Sequence, residues 1–153
     1  MWRDNSERLG GSSMAHSYYS EIHLHLTWHT KTSAPLLTPE VEEMSFAVLR
    51  EKCAALSGIY LHQLGAIPTH IHVALSIDPT VLISDLIGQL KGYSSHEVNR
   101  RLGLGRKVLE WQSGYGVVSF GTKDQPWVCE YVRRQKEHHA AGDVHERLEA
   151  ITA

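Results

Sequence analysis

Two pairs of residues in this chain have the types and spacing for chemistry at a metal or a phosphate. The first is His70 and His72, separated by Ile71. Imidazole nitrogens are good cation ligands. In an extended strand, residues two apart project from one face about 6.6 Å from each other, so both can reach one ion. Spacing alone leaves open a pair of surface or hydrogen-bonded histidines. The second pair is Tyr131 and Gln135, which share one face of a helix at a spacing of four. His138 falls close to that face. Taken by itself this spacing suits a half-buried packing tyrosine and a solvated glutamine.

The elements that must hold these pairs are legible from periodicity. In 21–30, EIHLHLTWHT, residues Ile22, Leu24, Leu26 and Trp28 alternate with His23, His25, Thr27 and His29, the pattern of a half-buried strand. Thr38-Pro39-Glu40 reads as an N-cap with proline in the first turn. A helix face follows through Val41, Met44, Val48 and Leu49 to about Ser57, and Gly58 stops it. Residues 59–67 form a second strand, Pro68-Thr69 a turn, and 69–77, THIHVALSI, a third strand. Its Thr69, Ile71, Val73, Leu75 and Ile77 share one face, and His70, His72, Ala74 and Ser76 the other. Pro79 opens a second helix that runs to about Leu102, where Gly103 and Gly105 break it. Residues 115–120, YGVVSF, make a fourth strand, and Asp124 caps a last helix over about 125–141.

The order β-α-β-β-α-β-α is the ferredoxin-like, or split βαβ, arrangement with an added C-terminal helix that bears Tyr131. The expected fold class is therefore α+β: an antiparallel sheet with helices on one face. The other face is expected to stay open and to take the polar residues, His70 and His72 among them. His23, His25 and His29 fall on that face as well if the strands pair as the topology requires.

Composition sets the outer bounds. A chain of 153 residues with 42% hydrophobic residues supplies one domain with a modest core. Residues 1–17 are polar and rich in Gly and Ser and read as a flexible tail. Residues 18–141 form the domain and 142–153 a C-terminal tail. No apolar run reaches the roughly 18 residues of a membrane span, and no signal-peptide pattern precedes the domain, so no membrane partner and a cytoplasmic location are expected. Cys53 and Cys129 are expected to be buried free thiols. Net charge is −2, so the chain as a whole is no basic nucleic-acid binder. Its cations are clustered, with Lys91, Arg100, Arg101, Arg106 and Lys107 in one stretch and Arg133, Arg134 and Lys136 in another. Each cluster suits either a phosphate-binding surface or a solvated helix face. Trp111 and Tyr115 suit base stacking or core packing alike.

The strings HLTWHTK, GAIPTHIHVALSI, ISDLIGQLKGYSSHEVN, WQSGYGVVSF and YVRRQKEHH, in this order and spacing, resemble the single-tyrosine HUH transposases of the insertion-sequence 200/605 (IS200-like) family and their domesticated, repeat-associated relatives. The resemblance covers about residues 19–140. It implies that His70-Ile71-His72 is the histidine–hydrophobic–histidine motif, Gln135 the third metal ligand and Tyr131 the nucleophile. It further implies a divalent cofactor, Mg²⁺ or Mn²⁺, a homodimer, and single-stranded or hairpin DNA as substrate, cut and rejoined through a 5′-phosphotyrosine. Lys91, Arg100, Arg101, Arg106, Lys107, Arg133 and Arg134 then become candidate DNA contacts. A protein that binds DNA hairpins without transposing is the alternative within the same resemblance. The sequence departs from the family pattern in three places: the first 17 residues, the segment FGTKDQPWV before the tyrosine helix, and the chain after His139, which lacks an acidic-aromatic tail.

Overall fold

The computed structural model describes residues 18–151; the N-terminal tail expected over 1–17 and the last two residues lie outside them. Four strands form one antiparallel sheet: β1 (His23–His29), β2 (Ile59–Ile67), β3 (His70–Ile77) and β4 (Gly116–Phe120). Their order is β2-β3-β1-β4, the ferredoxin-like arrangement expected from periodicity. Every pairing is antiparallel, and β1 lies between β3 and β4.

One face of the sheet carries the apolar half of each alternating strand. Leu24, Leu26 and Trp28 of β1 and Ile71, Val73, Leu75 and Ile77 of β3 form a core there with two helices. The first, α1 (Pro39–Ala55), starts as read: the Thr38 hydroxyl accepts from the Val41 N–H, and Pro39 opens the first turn. It contributes Val41, Val48, Leu49 and Cys53. The second, α2 (Ile83–Leu102), contributes Leu86, Ile87, Leu90 and Val98. It begins four residues later than Pro79, because Asp78 and Pro79 belong to a turn in which Val81 donates to the Asp78 carbonyl. Its end is as read, with Gly103 in the left-handed region closing onto Asn99. Trp111 and Tyr115 pack against this same core, and the Trp111 indole donates to Ser94 Oγ at 2.9 Å.

The opposite face is not open. Three short helices lie on it: α3 (Gln125–Arg133), α4 (Gln135–Ala141) and α5 (Glu146–Glu149). The single helix expected over 125–141 is broken at Arg134, whose φ of −103° and ψ of 34° are not helical. At the break the Gln135 side-chain amide donates to the Tyr131 carbonyl at 2.9 Å. The segment read as a tail from 142 onward holds α5, whose Leu148 is buried. A small apolar cluster of Ala74, Val128 and Val132 fastens α3 to the sheet.

Two glycines permit this cover. A Cβ on Gly65 of β2 would lie 1.6 Å from the Val132 carbonyl oxygen, so α3 rests its backbone directly on the strand. A Cβ on Gly116 of β4 would lie 2.0 Å from the Ala150 carbonyl oxygen, where the C-terminal segment crosses the sheet. Cys53 is buried and Cys129 half-buried, and both are free thiols. No helix among the described residues is long and apolar enough to cross a membrane.

Candidate active site

Strand pairing sets the site. In register, Gly65 of β2 and Thr27 of β1 flank His72, while Ile67 and His29 flank His70. With Gly65 beside His72, the α3–α4 junction settles onto the sheet next to the two histidines. His70 and His72 are thus on the face that alternation assigned them, but buried beneath the helices at 4% and 0% exposure. Tyr131 and Gln135 descend from above and are buried too. The Tyr131 ring meets the His72 ring edge-on at 6.0 Å between centroids. All four residues singled out for chemistry therefore converge within one chain.

Two residues that the sequence reading passed over complete the cluster. His139 follows Gln135 by one helical turn, and its Nε2 lies 3.2 Å from Gln135 Oε1. Glu149 of α5 reaches under both helices. Its carboxylate lies 3.0 Å from His70 Nε2, 3.3 Å from His72 Nε2 and 3.2 Å from His139 Nε2. The Tyr131 hydroxyl donates to Glu149 Oε1 at 2.5 Å and accepts from the His145 backbone N–H at 3.1 Å. One helical turn of spacing from Gln135 could have pointed to His139; no periodic signal marks a helix of four residues.

The remaining histidines take distinct places. His25 is buried, and its Nε2 meets His72 Nδ1 at 2.8 Å. If the proton between them sits on His72 Nδ1, His72 Nε2 is left with a free lone pair facing the cluster. His29 stacks on His70 at 4.5 Å between centroids. His138 packs on the Tyr131 ring on the outer side, at 4.8 Å. His23 is away from the site, bonded to Ser76 and Thr122.

Burial dominates the electrostatics. It pushes His72 down to about 4 and, with His72 alongside, His25 down to about 3, so both are neutral at neutral pH. Burial also pushes the Tyr131 phenol up to about 12, and the adjacent Glu149 adds to the rise. Burial raises the Glu149 carboxyl as well, but the imidazoles of His70 and His72 outweigh it and hold that group well below the usual carboxylate range.

The residues present fit a divalent cation. Donor atoms of His70, His72, His139 and Glu149 all lie within 4.8 Å of one another. His70 Nε2 and His72 Nε2 are buried and make no hydrogen bond, although both are at ion-pair distance from Glu149. Imidazoles around a carboxylate, with an amide oxygen beside them, are a donor set that suits Mn²⁺ better than Mg²⁺.

The candidate DNA contacts divide by face. Lys91, Arg100 and Arg101 ride on α2, across the sheet from the histidines. The Lys91 ammonium donates to the carbonyls of Gln112 and Gly114 at 2.8 and 3.0 Å. Arg100 grips Glu97 with two nitrogens, and Arg101 grips Glu51 with two and Glu97 with one. Arg106 and Lys107 are exposed in the following loop, with Lys107 4.0 Å from Glu110. Arg133 and Arg134 end α3 on the histidine side and are exposed; Arg134 lies between Glu130 and Glu137.

Known proteins resemble this chain over most of its length. Residues 18–135 match the family model described as "Transposase IS200 like". The ISDra2 transposase TnpA of Deinococcus radiodurans is 25% identical over 128 residues, which span 78% of this chain and 88% of that protein. A solved candidate transposase from Deinococcus radiodurans R1 superposes with a TM-score of 0.63 at 24% identity, over 79% of this chain and 95% of that one. A REP-associated tyrosine transposase bound to a REP hairpin superposes with a TM-score of 0.57 at 17% identity, over 88% of this chain and 76% of that one. The last two likenesses speak for the fold.

Proposed function

The chain belongs to the family of IS200-like transposases, and on that premise we propose that it cleaves and rejoins single-stranded or hairpin DNA with Tyr131 as its nucleophile. The observation that carries the reading is the convergence of Tyr131, buried and poised over His72, with His70, His72 and Gln135 in one chain. The phenolic Oη attacks the scissile phosphorus and loses its proton as the O–P bond forms. The P–O3′ bond breaks and the departing O3′ takes up a proton. The products are a 5′-phosphotyrosine and a free 3′-hydroxyl. The phosphodiester's energy is retained in the tyrosyl ester, so another strand's 3′-hydroxyl can reverse the step.

His70, His72 and Gln135 would hold the cation, Mg²⁺ or Mn²⁺, which when bound polarises the phosphate and offsets the charge that develops on it. The chain's own groups do the rest. His25 steadies His72 through the 2.8 Å contact, and the His145 N–H fixes the position of the Tyr131 oxygen. Burial sets the phenol further from ionisation than a free tyrosine, so the hydroxyl becomes reactive when substrate alters its surroundings. Arg133 and Arg134, beside the tyrosine, are the better-placed phosphate contacts; Arg106 and Lys107 serve a flank of the DNA more distant from the cut. Homodimer formation belongs to the same proposal and is read by light scattering.

Labelled single-stranded hairpins incubated with the protein and Mn²⁺ should give a protein–DNA adduct that survives a denaturing gel. Tyr131→Phe should abolish that adduct and leave hairpin binding intact. An adduct formed by the Phe variant sinks the nucleophile assignment. Tight hairpin binding by the unaltered protein with no adduct favours a DNA-binding protein that keeps the fold without the reaction.

A further inference from the structure

We propose that Glu149 belongs to the cation's donor set in the DNA-free protein, as a carboxylate supplied by the C-terminal segment and exchanged for a phosphate oxygen when substrate enters. The inference rests on the histidine pair being a metal site and goes beyond it in naming a further, replaceable ligand.

Geometry carries the assignment. The Glu149 carboxylate lies 3.0–3.3 Å from the Nε2 atoms of His70, His72 and His139. Octahedral ligand bonds of about 2.1 Å put opposite donors about 4.2 Å apart. Four donors within 4.8 Å thus need only a small contraction to close on one ion. Two of the imidazole nitrogens, those of His70 and His72, are buried and make no hydrogen bond although this carboxylate lies 3.0 and 3.3 Å away. A single cation among them would bind the carboxylate and all of these nitrogens at once.

Exchange follows from how Glu149 is mounted. Its helix has four residues and a single buried side chain, Leu148. Beyond the polar contacts of Glu149 itself and the His145 N–H on Tyr131, its hold is Arg147 on the Ser119 carbonyl, at 2.6 Å, and the crossing of Ala150 over Gly116. Such a segment separates from the sheet far more easily than α1 or α2. Glu149 also takes the Tyr131 hydroxyl hydrogen bond, so while it stays in place the nucleophile's oxygen is committed to a carboxylate. An arriving phosphate offers the same oxygen chemistry to the same partners, and the two anions cannot share the space.

The test is Mn²⁺ binding to the full chain without DNA, measured by the loss of the free-ion electron paramagnetic resonance signal, with circular dichroism to verify folding. Glu149→Ala should weaken binding on the order of 10- to 100-fold. Glu149→Gln, the same shape without the charge, should fall on the same side, and it decides the matter if the Ala variant does not fold. His72→Ala should weaken binding at least as much. If both Glu149 variants bind Mn²⁺ within twofold of the parent while His72→Ala does not, Glu149 is no ligand and the histidine site stands. If His72→Ala also binds like the parent, the metal reading itself fails. In a Tyr131→Phe background saturated with a single-stranded hairpin, the loss of Mn²⁺ affinity caused by Glu149→Ala should shrink to below about threefold. An undiminished loss overturns exchange.

Discussion

The two faces of the sheet are built on opposite terms. One is dry and interlocked: Leu26, Trp28, Ile71 and Leu75 meet Val48, Leu49, Ile87 and Leu90, all of them almost wholly buried. The other is just as covered, but what it covers is polar: His25, Thr27, His70, His72 and Gln135. Its apolar fastening amounts to Ala74, Val128 and Val132, with Phe120 and Cys129 at the margin. Apolar burial scales with area, so the first face holds the domain together and the second is held only as firmly as its short helices allow. The proposed site lies under the cover that can open at least cost to the rest of the fold.

That contrast can be broken most forcefully from the dry side. Leu90→Ala should cost about 2–5 kcal/mol of stability in urea unfolding, while the folded fraction keeps its capacity to form the DNA adduct. A loss of adduct in fully folded protein would show that the faces are not separable. Next in size is Gly65→Ala. Its methyl group collides with the Val132 backbone, so about 1–3 kcal/mol should be lost to overpacking. Adduct formation should fall more steeply than stability, because α3 carries Tyr131 and must lift. The mildest probe needs no substitution. Burial pushes the Cys53 thiol up to about 11 and raises Cys129 as well. A group with a raised pKa is reactive only as pH climbs toward that value, so at pH 8 Cys53, on the core side of α1, should resist alkylation until the domain unfolds. Cys129, half-buried on the histidine side, should label first, and mass spectrometry of timed digests reads the order.

What could be read before the structure follows the same division. Alternation in β1 and β3 identifies strands, assigns faces and puts His70 beside His72, because period two is a property of the backbone. Tyr131 and Gln135 come together for the same kind of local reason. The cover was not legible. Alternation places polar residues on a second face but is silent on whether solvent or protein meets them. The break at Arg134 turns on one side-chain amide bonding a carbonyl, which no periodicity records. Glu149 sits in a polar stretch where Leu148 is the one side chain that becomes buried, too little pattern to reveal a helix. The α2 cations likewise looked available for phosphate; Glu97 lies one helical turn from Arg100 and Arg101 and was within reach of helical spacing, but the hold of Glu51 on Arg101 and of two carbonyls on Lys91 is long-range information.

Gly65 also bears on how a mutational survey of this protein will look. Scored for DNA cleavage, a saturation library should leave position 65 as bare as position 72, although glycine donates, accepts and ligates nothing through a side chain. Scored for folding alone, the two positions should part, with 65 showing graded tolerance by size. A map of essential residues would then contain one that works by leaving room, and reading it as a catalytic group would mistake clearance for chemistry.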